Sequence, residues 1–127
     1  MATVADAMNT NVLTVDPTAT IGEAAEKMIE GGSGAIVVLE DAARIIGICT
    51  ERDIMRAVAQ RARAAEARVR QWMTPDVVTI EPDLPIEQAT KIMLEHNFRH
   101  LPVVRDGRPL GIVSLRRLTR WEYEHPK

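Results

Sequence analysis

Hydrophobic positions along this chain fall into short blocks that switch between strand-like and helix-like spacing, and the series of blocks occurs twice. Val12-Leu13-Thr14-Val15 is a β-rich run closed by Asp16-Pro17. Ile21, Ala24, Ala25, Met28 and Ile29 then follow at helical intervals, with Thr20 placed to cap the helix and Gly31-Gly32 placed to stop it. Ala35 to Leu39 is an unbroken apolar run, as expected of a strand covered on both faces. Glu40 to Arg44 form a turn and Ile45 to Cys49 return as the second arm of a hairpin. Thr50 opens a helix through Ile54, Met55 and Val58. In the second series Val77 to Ile80 are the first strand. Ile86, Ala89, Met93 and Leu94 form the helical stripe, and Leu101 to Arg105 and Leu110 to Ser114 flank the turn Asp106-Gly107-Arg108-Pro109. Arg116 to Trp121 form the last helix. Ala57 to Arg68, rich in Ala, Arg and Glu, reads as the end of a helix and a partly helical connector.

The two series align residue by residue. Val4, Met8, Thr14, Pro17, Ile21, Ala24, Met28 and Val38 recur 65 positions later as Val69, Met73, Thr79, Pro82, Ile86, Ala89, Met93 and Val103. After the first hairpin turn the spacing is 64, pairing Gly47, Ile48 and Arg52 with Gly111, Ile112 and Arg116. The lost residue falls in the turn, where deletions are tolerated. The fold class is therefore α/β (α+β), a tandem β-α-β-β-α repeat. Repeat 1 with its connector spans 1–64, and repeat 2 with the C-terminal tail spans 65–127. Neither copy is large enough to bury a core alone, so the two are expected to form one compact module.

Composition narrows the function. The 127 residues are 46% hydrophobic and 27% charged, the balance of a soluble globular domain. No apolar run reaches bilayer length and no secretion signal stands at the N-terminus. The single cysteine, Cys49, rules out an internal disulfide and a cysteine-built metal site. These features point to the cytoplasm. No nucleophile–base pair, metal-ligand spacing or phosphate-cradling glycine loop is present, so no catalytic residues, no metal and no enzyme activity are expected. Arg52, Arg56, Arg61, Arg63, Arg68 and Arg70 form a basic stretch in a chain of net charge -2. A solvated helix face is the ordinary reading of such a stretch, with nucleic-acid contact the alternative.

The segment Gly47-Ile48-Cys49-Thr50-Glu51-Arg52-Asp53, the segments Arg99-His100-Leu101-Pro102-Val103-Val104 and Gly111-Ile112-Val113-Ser114, and the turn Met73-Thr74-Pro75 echoed by Met8-Asn9-Thr10 together resemble the CBS-domain pair, or Bateman module. The resemblance covers nearly the whole chain and implies a stand-alone pair packed with pseudo-twofold symmetry. It further implies two clefts between the copies that take adenosine-containing ligands: AMP or ATP foremost, with dinucleotides and S-adenosylmethionine as relatives. Carried over, the first cleft combines Thr50, Arg52 and Asp53 with Val78, Thr79, Ile80, Arg99, His100, Leu101 and Pro102.

Physical chemistry supports part of this set. Thr50 stands where a helix N-terminus attracts anions, and Asp53 one turn on can accept hydrogen bonds from both hydroxyls of a ribose. The same Thr-x-x-Asp spacing is also a good helix cap. The mirror cleft, Leu13, Thr14, Gly34, Ala35, Ile36, Ser114 and Arg117, departs from the pattern. Arg117 stands where repeat 1 has Asp53, and a guanidinium cannot accept from ribose. That cleft is expected to be empty or blocked by Arg117 itself, with binding of a different anion as the alternative.

The expected function is a regulatory module that binds an adenosine-containing nucleotide and signals to a separate effector protein. The alternative is a structural dimerisation protein with vestigial clefts, and a third reading is nucleic-acid binding. Apolar helix positions left uncovered by two small sheets point to a homodimer.

Overall fold

The computed structural model describes residues 1–126. Elements run in the order α1 (Val4–Ala7), β1 (Thr14–Val15), α2 (Ile21–Gly31), β2 (Ala35–Glu40), β3 (Arg44–Thr50), α3 (Glu51–Ala59), α4 (Val69–Trp72), β4 (Thr74–Pro75), α5 (Ile86–His96), β5 (His100–Arg105), β6 (Arg108–Ser114) and α6 (Leu115–Glu124). The β-α-β-β-α order of each repeat is present, and the molecule is of mixed α+β class.

The chain divides into two compact units, Leu13–Val77 and Met1–Val12 with Val78–Lys127. The unit boundaries are out of phase with the sequence repeats. In the unit Leu13–Val77 the sheet order is β1-β2-β3-β4. Strand β1 is parallel to β2 through Thr14↔Val37 and Val15↔Val38, and β4 is antiparallel to β3 through Gly47↔Pro75 and Ile48↔Thr74. Helix α4 and strand β4, which belong to repeat 2 by sequence, thus complete the body of repeat 1. Val69 is fully buried among Ile21, Ala24, Met28, Ile36, Val38 and Cys49.

The second unit mirrors this arrangement. Its hairpin β5-β6 is flanked by single bridges, Ile80↔Val103 on one side and Asn9↔Ile112 on the other. Val4 and Ala7 of α1 are buried with Ile86, Ala89, Met93, Leu101 and Leu118. The same irregularity, a register shift at Val38/Leu39 and at Val103/Val104, recurs in both hairpins.

Local chemistry explains most boundaries. Thr20 accepts from Glu23 N–H and Glu23 reaches back to Thr20 N–H, a complete capping box at the start of α2. Gly32, at φ 62°, closes that helix in the left-handed region that glycine enters without steric cost. Asn97, at φ 58°, does the same for α5. Asp106-Gly107 form the two-residue turn of the second hairpin, both at positive φ.

Three sequence expectations change. Val77 to Ile80 do not form a strand; only Ile80 bridges, giving its N–H to Pro102 O and accepting from Val104 N–H. Val77, Val78 and Thr79 lie outside any ladder because the neighbouring sheet partner is engaged at a single residue before Glu81-Pro82 turns the chain. The connector is not partly helical beyond one turn: α3 ends at Ala59, Arg61 sits at φ 63°, and 60–68 run through hydrogen-bonded turns such as Ala67 N–H to Arg63 O. The short helices α1 and α4 had no counterpart in the periodicity, since four residues are too few to display a helical stripe. No helix among the described residues is long and apolar enough to cross a membrane.

Candidate functional site

Within the unit Leu13–Val77, strand β3 delivers Thr50 to the N-terminus of α3. The Thr50 N–H donates to Asp53 Oδ2 at 2.9 Å, and its hydroxyl lies 3.2 Å from the same oxygen. Asp53 N–H returns a bond to Thr50 Oγ1 at 3.4 Å. The cap that the Thr-x-x-Asp spacing allows is therefore formed. Asp53 is the one buried charged residue among those described, only 3% exposed. A buried carboxylate is tolerated only with partners, and it has two more. Arg56 Nη2 donates to Asp53 Oδ1 at 2.9 Å and to the Trp72 carbonyl at 2.9 Å, with the guanidinium 5.9 Å from the centre of the Trp72 ring. The Thr74 hydroxyl reaches the two carboxylate oxygens at 3.4 and 3.5 Å.

Arg56, Trp72 and Thr74 escaped the sequence reading as site residues. Arg56 lies one turn after Asp53 and was legible as an i,i+3 pair. Trp72 and Thr74 carried no such signal, because only the exchange of segments brings them to α3. Burial, and secondarily the Asp53 charge, push the neighbouring Cys49 thiol up to about 12. Cys49 is fully buried and is held as a neutral, inert thiol.

The expected ligand residues are distributed so that each unit holds part of each set. In the unit Leu13–Val77, Thr50, Arg52 and Asp53 neighbour Leu13, Thr14, Gly34, Ala35 and Ile36. Ala35 pairs with Thr50 and Ile36 with Cys49, while Glu51 N–H donates to Gly34 O at 3.0 Å. Arg52 is exposed. The Glu51 carboxylate lies against Gly34 so closely that a Cβ there would overlap it.

In the other unit, His100 pairs with Ser114, and Leu115 N–H donates to Arg99 O at 2.9 Å. Arg99 and Thr79 are exposed, and His100 and Val78 half-buried. Ile80, Leu101 and Pro102 are buried, so they present backbone rather than side chains. Ser114 caps α6 by accepting from Arg117 N–H at 3.0 Å. Arg117 turns away from the positive helix end and donates Nε to the Ala7 carbonyl at 2.5 Å. No carboxylate stands at this helix start. Among the described residues no cluster of His, Cys, Asp or Glu could hold a metal ion.

Comparison with known proteins agrees with this architecture. The CBS domain family matches residues 4–60 and 69–124. An uncharacterized 17.7 kDa protein of Acidianus ambivalens is 42% identical over 122 residues, which cover 94% of this chain and 73% of that protein. A putative signal-transduction protein with CBS domains from Burkholderia ambifaria superposes with a TM-score of 0.92 at 32% identity, over 99% of this chain and 97% of that one. The CBS domain pair of protein MJ0100, in complex with 5′-methylthioadenosine and S-adenosyl-L-methionine, superposes with a TM-score of 0.90 at 26% identity, over 98% of each chain. With both repeats matched and the β-α-β-β-α order present in each, the chain belongs to the CBS-domain family as a CBS-domain pair.

Proposed function

We propose that this chain is a cytoplasmic, non-enzymatic regulatory module that binds an adenosine-containing ligand and passes its occupancy to a separate effector protein. The observation that carries the reading is the buried Asp53 carboxylate, held at the start of α3 by Thr50 and Arg56. A fixed acceptor beside a helix N-terminus suits a ribose diol. The similarity to a CBS pair crystallised with 5′-methylthioadenosine and S-adenosyl-L-methionine supports the ligand class. The proposed binding residues are Thr50, Arg52 and Asp53 in one unit. In the other they are Val78, Thr79, Ile80, Arg99, His100, Leu101 and Pro102, with backbone groups near His100 reading the base.

A thermal-shift panel of AMP, ATP, S-adenosylmethionine, 5′-methylthioadenosine and GTP tests it. A ligand present at about a hundred times its Kd adds roughly 2.7 kcal/mol to the folded state. In a domain of this size that raises Tm by several degrees. At least one adenosine compound is expected to do so, and Asp53→Asn to abolish most of the shift. No shift with any adenosine compound at millimolar concentration rejects the reading.

Exposed apolar helix side chains support self-association of the same module. Ile29 and its repeat equivalent Leu94 are 81% and 66% exposed, and Met55 and Val58 are 66% and 62% exposed. We propose a homodimer; a monomer mass in sedimentation equilibrium at micromolar concentration rejects it.

A further inference from the structure

Donors of its own unit face every acceptor direction of the Asp53 carboxylate, two of them only loosely. A carboxylate offers about four lone-pair directions. Four donors of its own unit meet them: the Thr50 N–H, the Thr50 hydroxyl, Arg56 Nη2 and the Thr74 hydroxyl. A ribose diol that uses Asp53 must therefore displace two of the four. The two N–H contacts are short, 2.9 Å each. The hydroxyl contacts are long, 3.2 Å from Thr50 and 3.4 and 3.5 Å from Thr74. Hydroxyl protons rotate freely to other acceptors, whereas a cap N–H and a guanidinium that also holds the Trp72 carbonyl do not.

Thr74 differs from the other three donors in where it sits. Thr50 and Arg56 flank or belong to α3. Thr74 lies on β4, a two-residue strand held to β3 only at Gly47 and Ile48. Displacing its hydroxyl removes a tie between that strand and the buried carboxylate.

We infer that Thr74 is the competitor built into the ligand site: its hydroxyl occupies the place of a ribose hydroxyl in the free protein, and ligand binding releases it and loosens β4. Arg56 is the positioning residue that holds the carboxylate in place throughout. The inference rests on the adenosine-binding reading above. It predicts opposite signs for two substitutions in one cluster. Thr74→Val keeps the side-chain shape and removes the competing donor, so affinity rises by about two- to tenfold, the worth of one hydrogen bond. Arg56→Gln leaves the carboxylate unanchored, so affinity falls.

Calorimetric titration with 5′-methylthioadenosine compares the wild-type chain with Thr74→Val, Thr74→Ser, Thr74→Ala and Arg56→Gln. Thr74→Ser keeps the hydroxyl and is expected to bind as wild type. Thr74→Ala is the second hydroxyl-free variant, should the valine perturb folding. Hydrogen exchange of peptides spanning 72–77 is expected to speed up on ligand addition in the wild type and not in Thr74→Val. If Thr74 is merely structural, Thr74→Val binds no better than wild type or weakens along with Arg56→Gln, and the inference is overturned. If the wild type binds neither 5′-methylthioadenosine nor any other adenosine compound, the adenosine reading itself fails, and this is known before any variant is compared.

Discussion

Arg56 and Arg117 donate to equivalent carbonyls, those of Trp72 and Ala7, from helix positions one turn apart. Trp72 lies 65 residues after Ala7, but the repeat equivalent of Arg56 is Arg120, and Arg117 stands in the place of Asp53. Each unit thus sets a cation on the carbonyl that ends its short helix, where the dipole favours positive charge. The unit Leu13–Val77 supplies it from the turn after the acid, so a carboxylate is retained and clamped. The other unit puts the cation in the acid's own position. Arg120 is left to approach Glu124 at 3.9 Å on the surface. The asymmetry between the repeats is therefore a relocation of one guanidinium by one turn, and it leaves the second unit without the carboxylate.

The Glu51 carboxylate at the start of α3 opposes a polyphosphate there. Glu51 and Asp53 both lie in its first turn, and the N–H groups of Thr50, Glu51 and Asp53 are already bonded. ATP is expected to bind more weakly than 5′-methylthioadenosine. Glu51→Gln is expected to improve ATP binding about fivefold, from the removal of roughly 1 kcal/mol of repulsion near the surface, while leaving 5′-methylthioadenosine unchanged. Titrations at low and high salt check this, since screening shrinks a genuine charge effect. Equal gains for both ligands would point to altered packing over Gly34 instead.

Fragments distinguish the packing unit from the sequence repeat. Residues 13–77 contain α4, β4 and the buried Val69; residues 1–64 lack all three. The fragment 13–77 is expected to melt cooperatively and 1–64 to remain without a fixed core. Circular dichroism melts of the two decide the matter, and the reverse ranking would reject the exchange of segments.

Gly47 and Gly111 admit the leading methionines. A Cβ on Gly47 would overlap Met73 Sδ and lie 3.1 Å from the Thr74 backbone oxygen, and one on Gly111 would lie 2.8 Å from both Met8 Sδ and the Asn9 backbone oxygen. A methionine side chain can withdraw. The Asn9 carbonyl cannot, because it accepts from Ile112 N–H at 2.9 Å. Gly111→Ala is expected to cost about 3 kcal/mol and Gly47→Ala about 1 kcal/mol, the range for overpacking. Urea midpoints provide the comparison.

Cys49 confers an alkaline limit on stability. Its thiol, ordinarily near 9.0, is pushed up to about 12 in the folded chain. Between those values the unfolded chain releases the proton and the folded chain keeps it, so stability falls as pH rises from about 9 towards 12. The slope approaches about 1.4 kcal/mol per pH unit at its steepest. Cys49→Ala is expected to flatten the decline measured by urea unfolding between pH 8 and 11; an unchanged slope would assign the decline to other groups.

What the sequence determined by itself is what depends on nearest neighbours and on repetition. The stripe at Ile21, Ala24 and Met28, the Thr20–Glu23 box, the Asp106-Gly107 turn and the Thr50–Asp53 cap are all set within a few residues. The recurrence of the apolar stripe at a spacing of 65, and of the strand leading into the last helix at 64, revealed the CBS pair. Tertiary structure decided which copy each segment completes. A four-residue helix has no periodicity to read, and the burial of Val4 and Val69 depends on which surface they meet rather than on their own composition. That choice brings Thr74 to Asp53 as a donor from 21 positions along the chain, and sets the Trp72 carbonyl, 19 positions along, to hold Arg56. Local pattern reaches about one helical turn, and a buried charge takes its partners from whatever the fold sets beside it.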